Sequence, residues 1–281
     1  RFDSESLRNA QLFIYPSVSN NIKEREMKHN IKKIIPNVIL NKYHEFNKQK
    51  EIKQYAGNDV KCLICNSEFS SFALYSNREN ARCLNCESLE RHRLLWLYLN
   101  KETNLMNENL KLLHFAPEKV FYIKFSSKSN IKYYPCDLFP EHYDHKGHVE
   151  IIKVDITNIP FEDNYFDVIL CNHVLEHIPN DSVAMRELYR VMKKGAWGIF
   201  QVPIDYNLKT TFEDSSINTP EGREKAFGLS DHYRLYGSDY KDRLKEAGFD
   251  ITEDNFIETI SSVDKVKFGL CSSELIYLGR K

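Results

Sequence analysis

Nothing in this sequence of 281 residues approaches the roughly 18 consecutive apolar residues of a membrane span. Its polar beginning, RFDSESLRN, lacks the apolar centre of a signal peptide. An excess of charge of either sign is missing too. The formal charge is -1 at pH 7 and the pI is near 6.9, so no overall basic field exists to hold a long nucleic acid, and a nucleic-acid partner is disfavoured. Internal repeats and low-complexity tracts are absent, and a hydrophobic fraction of 42% is that of a folded globular protein. These absences leave the expectation of a soluble, cytoplasmic protein with a small or neutral substrate. Beginning with Arg1 rather than Met, the chain is read as trimmed or as a piece of a longer, multidomain protein.

What is present falls into three parts. Residues 1–57 are rich in Lys, Asn, Ile and Glu, with Ile31, Ile34, Ile35 and Val38 at helical spacing and Pro36 ending one helix and starting another. They are expected to form a helical arm that packs on the next module or meets a partner. Residues 58–92 hold four of the seven cysteines, as two CxxC pairs: Cys62 with Cys65 and Cys83 with Cys86. Two such knuckles complete a tetrahedral four-cysteine zinc site, and the closed thiolate shell makes that zinc structural. Disulfides or a redox centre are the alternatives, less common in an intracellular chain. Ser88 is then placed to cap a buried helix, SLERHRLLWLYL, whose first turn either faces water or presents Arg91 or Arg93 to an anionic group.

Residues 93–281 form the third part, in which apolar strands alternate with helical patterns as in a parallel sheet with crossover helices. Strands are expected at Lys111 to Phe115, Ile131 to Tyr134, Glu150 to Val154, Val168 to Cys171, Ala196 to Val202, Asp250 to Phe256 and Glu274 to Leu278. A helix is expected from Asp181 to Lys193 with Gly195 just past its end, and another capped by Ser238 and closed by Gly248. A polar segment from Asp205 to Gly237 interrupts the alternation. Asp137, Asp155 and Asn172 fall at the ends of the second, third and fourth strands, a row along one sheet edge. A carboxylate after the second strand is placed for ribose hydroxyls, and one after the third for an adenine amino group. As single residues they are ordinary strand-end turn formers; as a row they imply an adenosine ligand.

With these stretches on the page, the sequence resembles the class I S-adenosylmethionine-dependent methyltransferases. DITNIPF from Asp155, FDVI from Phe166, VLEHI from Val174 and RELYRVMKKG from Arg186 carry the resemblance. The coupling of CxxC…CxxC to SLERHRLLWLYL, LLHFAPE and FGLSDHYRLYG is similar to a bacterial-type branch with an N-terminal zinc ribbon, over residues 58–281. The resemblance implies an α/β fold: a Rossmann-like seven-stranded methyltransferase sheet, its last strand antiparallel between the fifth and sixth, preceded by the zinc ribbon and the helical arm. It implies S-adenosyl-L-methionine as cofactor, held by Phe115, Ala116, Glu118, Asp137, Asp155, Ile156 and Asn172. The glycine-rich loop that most members carry after the first strand is missing; His114-Phe115-Ala116-Pro117-Glu118 stands in its place.

For methyl transfer the protein must mainly position its reactants and take the acceptor's proton. His173, at the mouth of the fourth strand, and His232 are the candidate bases. Each has a purely structural alternative. Thr210 to Asp214, with Asp231, His232, Arg234 and Tyr236, is expected to form a lid, with Arg91, Arg93, Glu213, Asp231, Arg234 and Tyr236 as substrate contacts. Carboxylates and aromatics suit a hydroxylated small-molecule or saccharide acceptor, so O-methylation of such a metabolite leads. An RNA methyltransferase gripping its substrate with the ribbon, and a non-catalytic zinc-ribbon scaffold with a relic sheet, are the alternatives.

Overall fold

The computed structural model of the chain describes residues 37–143, 149–270 and 273–281. These divide into two compact units: residues 37–96 with 260–270, and residues 97–259 with 273–281. The 260–270 segment therefore belongs with the ribbon rather than with the sheet that surrounds it in sequence. No helix among the described residues is long and apolar enough to cross a membrane.

The ribbon unit begins with α1 (Asn37–Gln54). Ile31, Ile34 and Ile35 lie outside the described residues. The end of α1 meets the ribbon through Glu51 and Arg82 at 2.8 Å and through Lys48 Nζ, which donates to the Asn85 carbonyl. The ribbon is two short antiparallel pairs, β1 (Val60–Lys61) with β2 (Glu68–Phe69) and β3 (Ala73–Tyr75) with β4 (Arg78–Arg82). Such short ladders hold little energy of their own. Helix α2 (Glu90–Lys101) follows. Its start differs from the expected Ser88 cap: the Leu89 N–H donates to His92 Nδ1, while the Ser88 hydroxyl lies 3.3 Å from the sulfurs of Cys62 and Cys86.

The second unit is built on a seven-stranded sheet. Its parallel strands are β5 (Leu110–Phe115), β6 (Ile131–Asp137), β7 (Ile152–Lys153), β8 (Phe166–Asn172) and β9 (Met192–Gln201). Helix α3 (Lys119–Ser126) follows β5 and α4 (Asp181–Val191) follows β8. Ala184, Met185, Leu188 and Val191 form the buried face of α4, and the Asn180 side chain caps it by accepting from the Val183 N–H. Strand β8 is central and almost wholly buried. Each of its large apolar side chains contributes about 1.5–3 kcal/mol on burial.

The segment expected to be polar and irregular contains β10 (Phe212–Glu213), α5 (Pro220–Phe227) and β11 (Arg234–Leu235), with β10 paired to β11. The next helix, α6 (Tyr240–Glu246), starts after Asp239, and Ser238 Oγ donates to the Lys209 carbonyl instead of capping. Strand β12 (Asp250–Asp254) comes next. In the ribbon unit, α7 (Ser262–Lys267) follows, and the last strand of the sheet is β13 (Ile276–Arg280). The sheet order is β12-β13-β9-β8-β5-β6-β7, with β13 antiparallel to both neighbours.

That order places the site. From β5 the chain winds outward to β6 and β7, then returns to β8 on the other side of β5. The loops after β5 and β8 therefore leave in opposite directions and open a crevice at their carboxyl ends. Two expected limits shift: the third strand shrinks to Ile152–Lys153, and β9 begins at Met192, so Gly195 lies inside a strand and donates its N–H to the Lys281 carbonyl.

Candidate active site at the ends of β5, β6 and β8

The chain leaves β5 through Ala116, whose φ of +46° is a left-handed conformation that costs a side-chain-bearing residue energy, with its N–H bonded to the Cys136 carbonyl at 2.9 Å. This is the backbone state that the missing glycine would supply at less cost. Glu118 is fixed from two strands: His114 Nε2 meets its Oε2 at 2.8 Å, and Asn172 Nδ2 donates to its Oε1 at 3.3 Å. The buried His114 is held in turn by the Tyr133 hydroxyl at 2.9 Å. Asn172 is 3% exposed, and its Oδ1 has no hydrogen-bond partner among the described residues. A buried acceptor left in that state is costly unless a ligand donates to it.

Asp137, at the end of β6, accepts from the Phe139 N–H at 2.8 Å and from the Tyr143 hydroxyl at 2.6 Å. Burial and this bond push the Tyr143 pKa up. A carboxylate has about four lone-pair sites, so acceptor capacity remains. Asp155 is exposed after β7, with Oδ1 accepting both from the Thr157 N–H and from its hydroxyl. Phe115 and Ile156 lie in the hydrophobic core, so their side chains are not available to a ligand, and any role in cofactor binding falls to their main chain.

After Asn172, His173 also takes a left-handed φ of +55°, and its N–H donates to the Gln201 carbonyl on the adjoining β9. A 3-10 turn, Leu175–His177, follows. Glu176 is fully buried, and neither carboxylate oxygen makes a hydrogen bond; His173 Nδ1 is 3.5 Å away, long for one. Burial opposes ionisation of this carboxyl, yet the neighbouring imidazoles, His173 foremost, draw it below the usual Glu range. His177 Nδ1 faces Asp231 at 3.3 Å, and its ring meets that of His232 edge to face with centroids 4.7 Å apart. His232 is 3% exposed, and burial lowers its pKa. That burial removes it from direct contact with an acceptor, which corrects its reading as a base.

Several expected substrate contacts prove to be structural. Arg93 is fully buried and donates to the carbonyls of Ser88, Ala81, Phe268 and Gly269, with its guanidinium 3.8 Å above the Phe72 ring. Arg234 is also buried and donates to the carbonyls of Leu175, Ile178 and Pro179 and to Glu213. It clamps the turn that carries Glu176 and His177. Tyr236 is buried and donates to Asp181 at 2.7 Å. Glu213 pairs with Arg234 and Arg243, and Asp231 stays exposed beside His177. Arg91 is half-buried, with its Nε lacking a hydrogen-bond partner. The Asp181–Arg243 pair at 2.7 Å completes this support; no local sequence pattern signals it, because its residues lie far apart in the chain.

In the ribbon unit, the four cysteines are free thiols with ligand atoms within 4.8 Å of one another. Cys62 to Cys86 and Cys65 to Cys83 are both 3.6 Å, whereas tetrahedral ligands about 2.3 Å from zinc stand about 3.8 Å apart. The two knuckles repeat one geometry: Asn66 and Glu87, each just after the second cysteine of its pair, take φ of +61° and +65°. In each, the first cysteine's carbonyl accepts from that residue. The donor set fits zinc.

Sheet order, the antiparallel last strand and the acidic strand ends together define a Rossmann-like methyltransferase fold. Residues 119–200 match the family model described as methyltransferase domain. A ubiquinone/menaquinone biosynthesis C-methyltransferase UbiE of Vibrio campbellii is 28% identical over 120 residues, 38% of this chain and 46% of that protein. A demethylmenaquinone methyltransferase of Staphylococcus haemolyticus is 37% identical over 51 residues, 18% of this chain and 21% of that protein. The chain thus spans less than half the length of these curated relatives. Among solved structures, a SAM dependent methyltransferase from Archaeoglobus fulgidus is similar at 13% identity and a TM-score of 0.45, covering 70% of this chain and 96% of that one.

Proposed function

We propose that the chain is an S-adenosylmethionine-dependent methyltransferase acting on a hydroxyl of a small, saccharide-like acceptor. The observation that carries the cofactor assignment is the row of Glu118, Asp137, Asp155 and Asn172 along one sheet edge, with an orphaned buried amide oxygen within it. When bound, the cofactor supplies a methyl group already made electrophilic by its sulfonium. Asp137 would hold the ribose, Asp155 the adenine amino group, and Glu118 with Asn172 the amino-acid end. His173 at the mouth of β8, half-buried with both ring nitrogens covered, would take the acceptor's proton once its ring turns toward the crevice, a contribution of about 10²–10⁴-fold. Asp231 and Glu213 are the substrate contacts of the sheet unit that burial leaves available. Structural zinc in the four-cysteine site would hold the ribbon.

The test is calorimetric titration of the zinc-loaded chain with S-adenosylhomocysteine. Micromolar binding, about -8 kcal/mol, that is lost in Asp137→Ala is the expected result. No binding to the unaltered chain would refute the cofactor assignment. A carbon acceptor is the second reading, favoured by the similarity to the C-methyltransferase of Vibrio campbellii. Identification of the methylated atom in product made from a hydroxylated acceptor decides between them.

A further inference from the structure

Glu176, His177 and His232 each offer a ligand atom, and these atoms lie within 4.8 Å of one another. We propose that they bind a divalent first-row cation, distinct from the ribbon zinc, whose role is to hold and polarise the acceptor's hydroxyl oxygen. Two imidazoles and a carboxylate are a donor set that such ions accept, and three protein ligands leave coordination positions open. Adjacent ligands at about 2.0–2.2 Å from an ion stand about 2.8–3.6 Å apart, so closing a set that lies within 4.8 Å needs side-chain movements of up to about an ångström each.

The state of Glu176 points the same way. Its side chain is wholly buried, and among the described residues neither oxygen makes a hydrogen bond, the nearest partner being His173 Nδ1 at 3.5 Å. A lone buried carboxylate costs several kcal/mol unless a positive partner compensates it. His173 beside it likewise has both ring nitrogens covered and without hydrogen bonds. The support around the cluster is that of a metal shell. Asp231 fixes Nδ1 of His177, as carboxylates do behind metal-bound imidazoles, and His232 is hydrogen-bonded to the Phe227 backbone. Arg234 grips the carbonyls of Leu175, Ile178 and Pro179 around the turn, while the Tyr233 N–H donates to the Glu176 carbonyl. Glu176 and His232 close the inner side, and the half-buried His173 and His177 mark where the cluster meets the crevice. The role of the ion, though not its binding, rests on the methyl-transfer reading.

The experiment titrates the full chain with Mn²⁺ after its ribbon has been filled with zinc, following the loss of the free-ion EPR signal. Mn²⁺ is a poor competitor for thiolates, so it reports the nitrogen and oxygen site. One ion bound per chain is expected, with affinity reduced at least tenfold in Glu176→Gln and in His232→Ala. His177→Gln, at a more exposed position, should do the same, and guards against the buried variants failing to fold. No bound Mn²⁺, or equal binding by folded variants, would overturn the proposal. S-adenosylhomocysteine titrated into the same samples keeps the two readings apart. Mn²⁺ binding without it refutes only the cofactor assignment, and the reverse refutes only the cation site.

Discussion

Ala116 and His173 hold left-handed backbone at the ends of paired strands β5 and β8, and strain of this kind is stored where the surrounding structure needs a particular loop path. Ala116→Gly should therefore leave the melting temperature unchanged or slightly raised, since relief of about 1 kcal/mol offsets the glycine's extra unfolded-state entropy. Ala116→Val, β-branched at positive φ, should lower stability by about 2 kcal/mol in a denaturant titration. Arg93 makes a sharper case. Replacing it with Met leaves four carbonyls without their donor, and a loss of about 3 kcal/mol or more is expected, read as a fall in the denaturation midpoint. Asp137 and Asp155 could be placed from sequence because a carboxylate just after an apolar run has one place to be, the strand end. Arg93, Arg234 and Tyr236 could not, because residue type does not reveal burial, and each is buried with its polar atoms turned to protein partners.

At the scale of elements, an ion pair within α4 anchors the loop that follows Asp155 through hydrogen bonds to Ile159 and Phe161. Arg190 bonds both oxygens of Glu187, and the Ile159 N–H donates to the same carboxylate. The Arg190 guanidinium holds the Glu187 pKa below its ordinary 4.5. A depressed acid stabilises the fold above its unfolded value and loses that contribution as pH falls through the folded one. Wild type should thus melt higher than Glu187→Gln near neutrality, and the difference should shrink as melts are run below pH 4.5. Strong periodicity made the sheet and α4 readable. Helix α5 went unread although its punctuation is there: Thr219 caps it, Pro220 opens it and Gly228 closes it at φ +91°. Its composition is polar, and without an apolar stripe there was no period to find. The pairing of β10 with β11 joins Phe212 to Leu235 and Glu213 to Arg234, too far apart in sequence for any local pattern.

For the whole molecule, the ribbon unit has short strands and a small core, and depends on its metal if the four thiols hold zinc. Structural zinc contributes about 10–16 kcal/mol in small finger peptides, comparable to the full stability of a domain. Chelation should therefore unfold the ribbon, seen as alkylation of Cys62, Cys65, Cys83 and Cys86 and as rapid amide exchange across β1 to β4. The two CxxC pairs made this site legible at once, since few other patterns place four ligands so economically in sequence. The membership of residues 260–270 in the same unit carried no such signal, because it arises from contacts more than 170 residues apart.

That long return has a consequence for how the molecule is made. Arg93 waits for the carbonyls of Phe268 and Gly269, 175 and 176 residues downstream, so the ribbon's interior is finished only after residue 269 has left the ribosome. A nascent chain halted before residue 260 would carry a buried-type guanidinium with half its acceptors missing. The ribbon, synthesised before the sheet, would lock only after most of the sheet has been made.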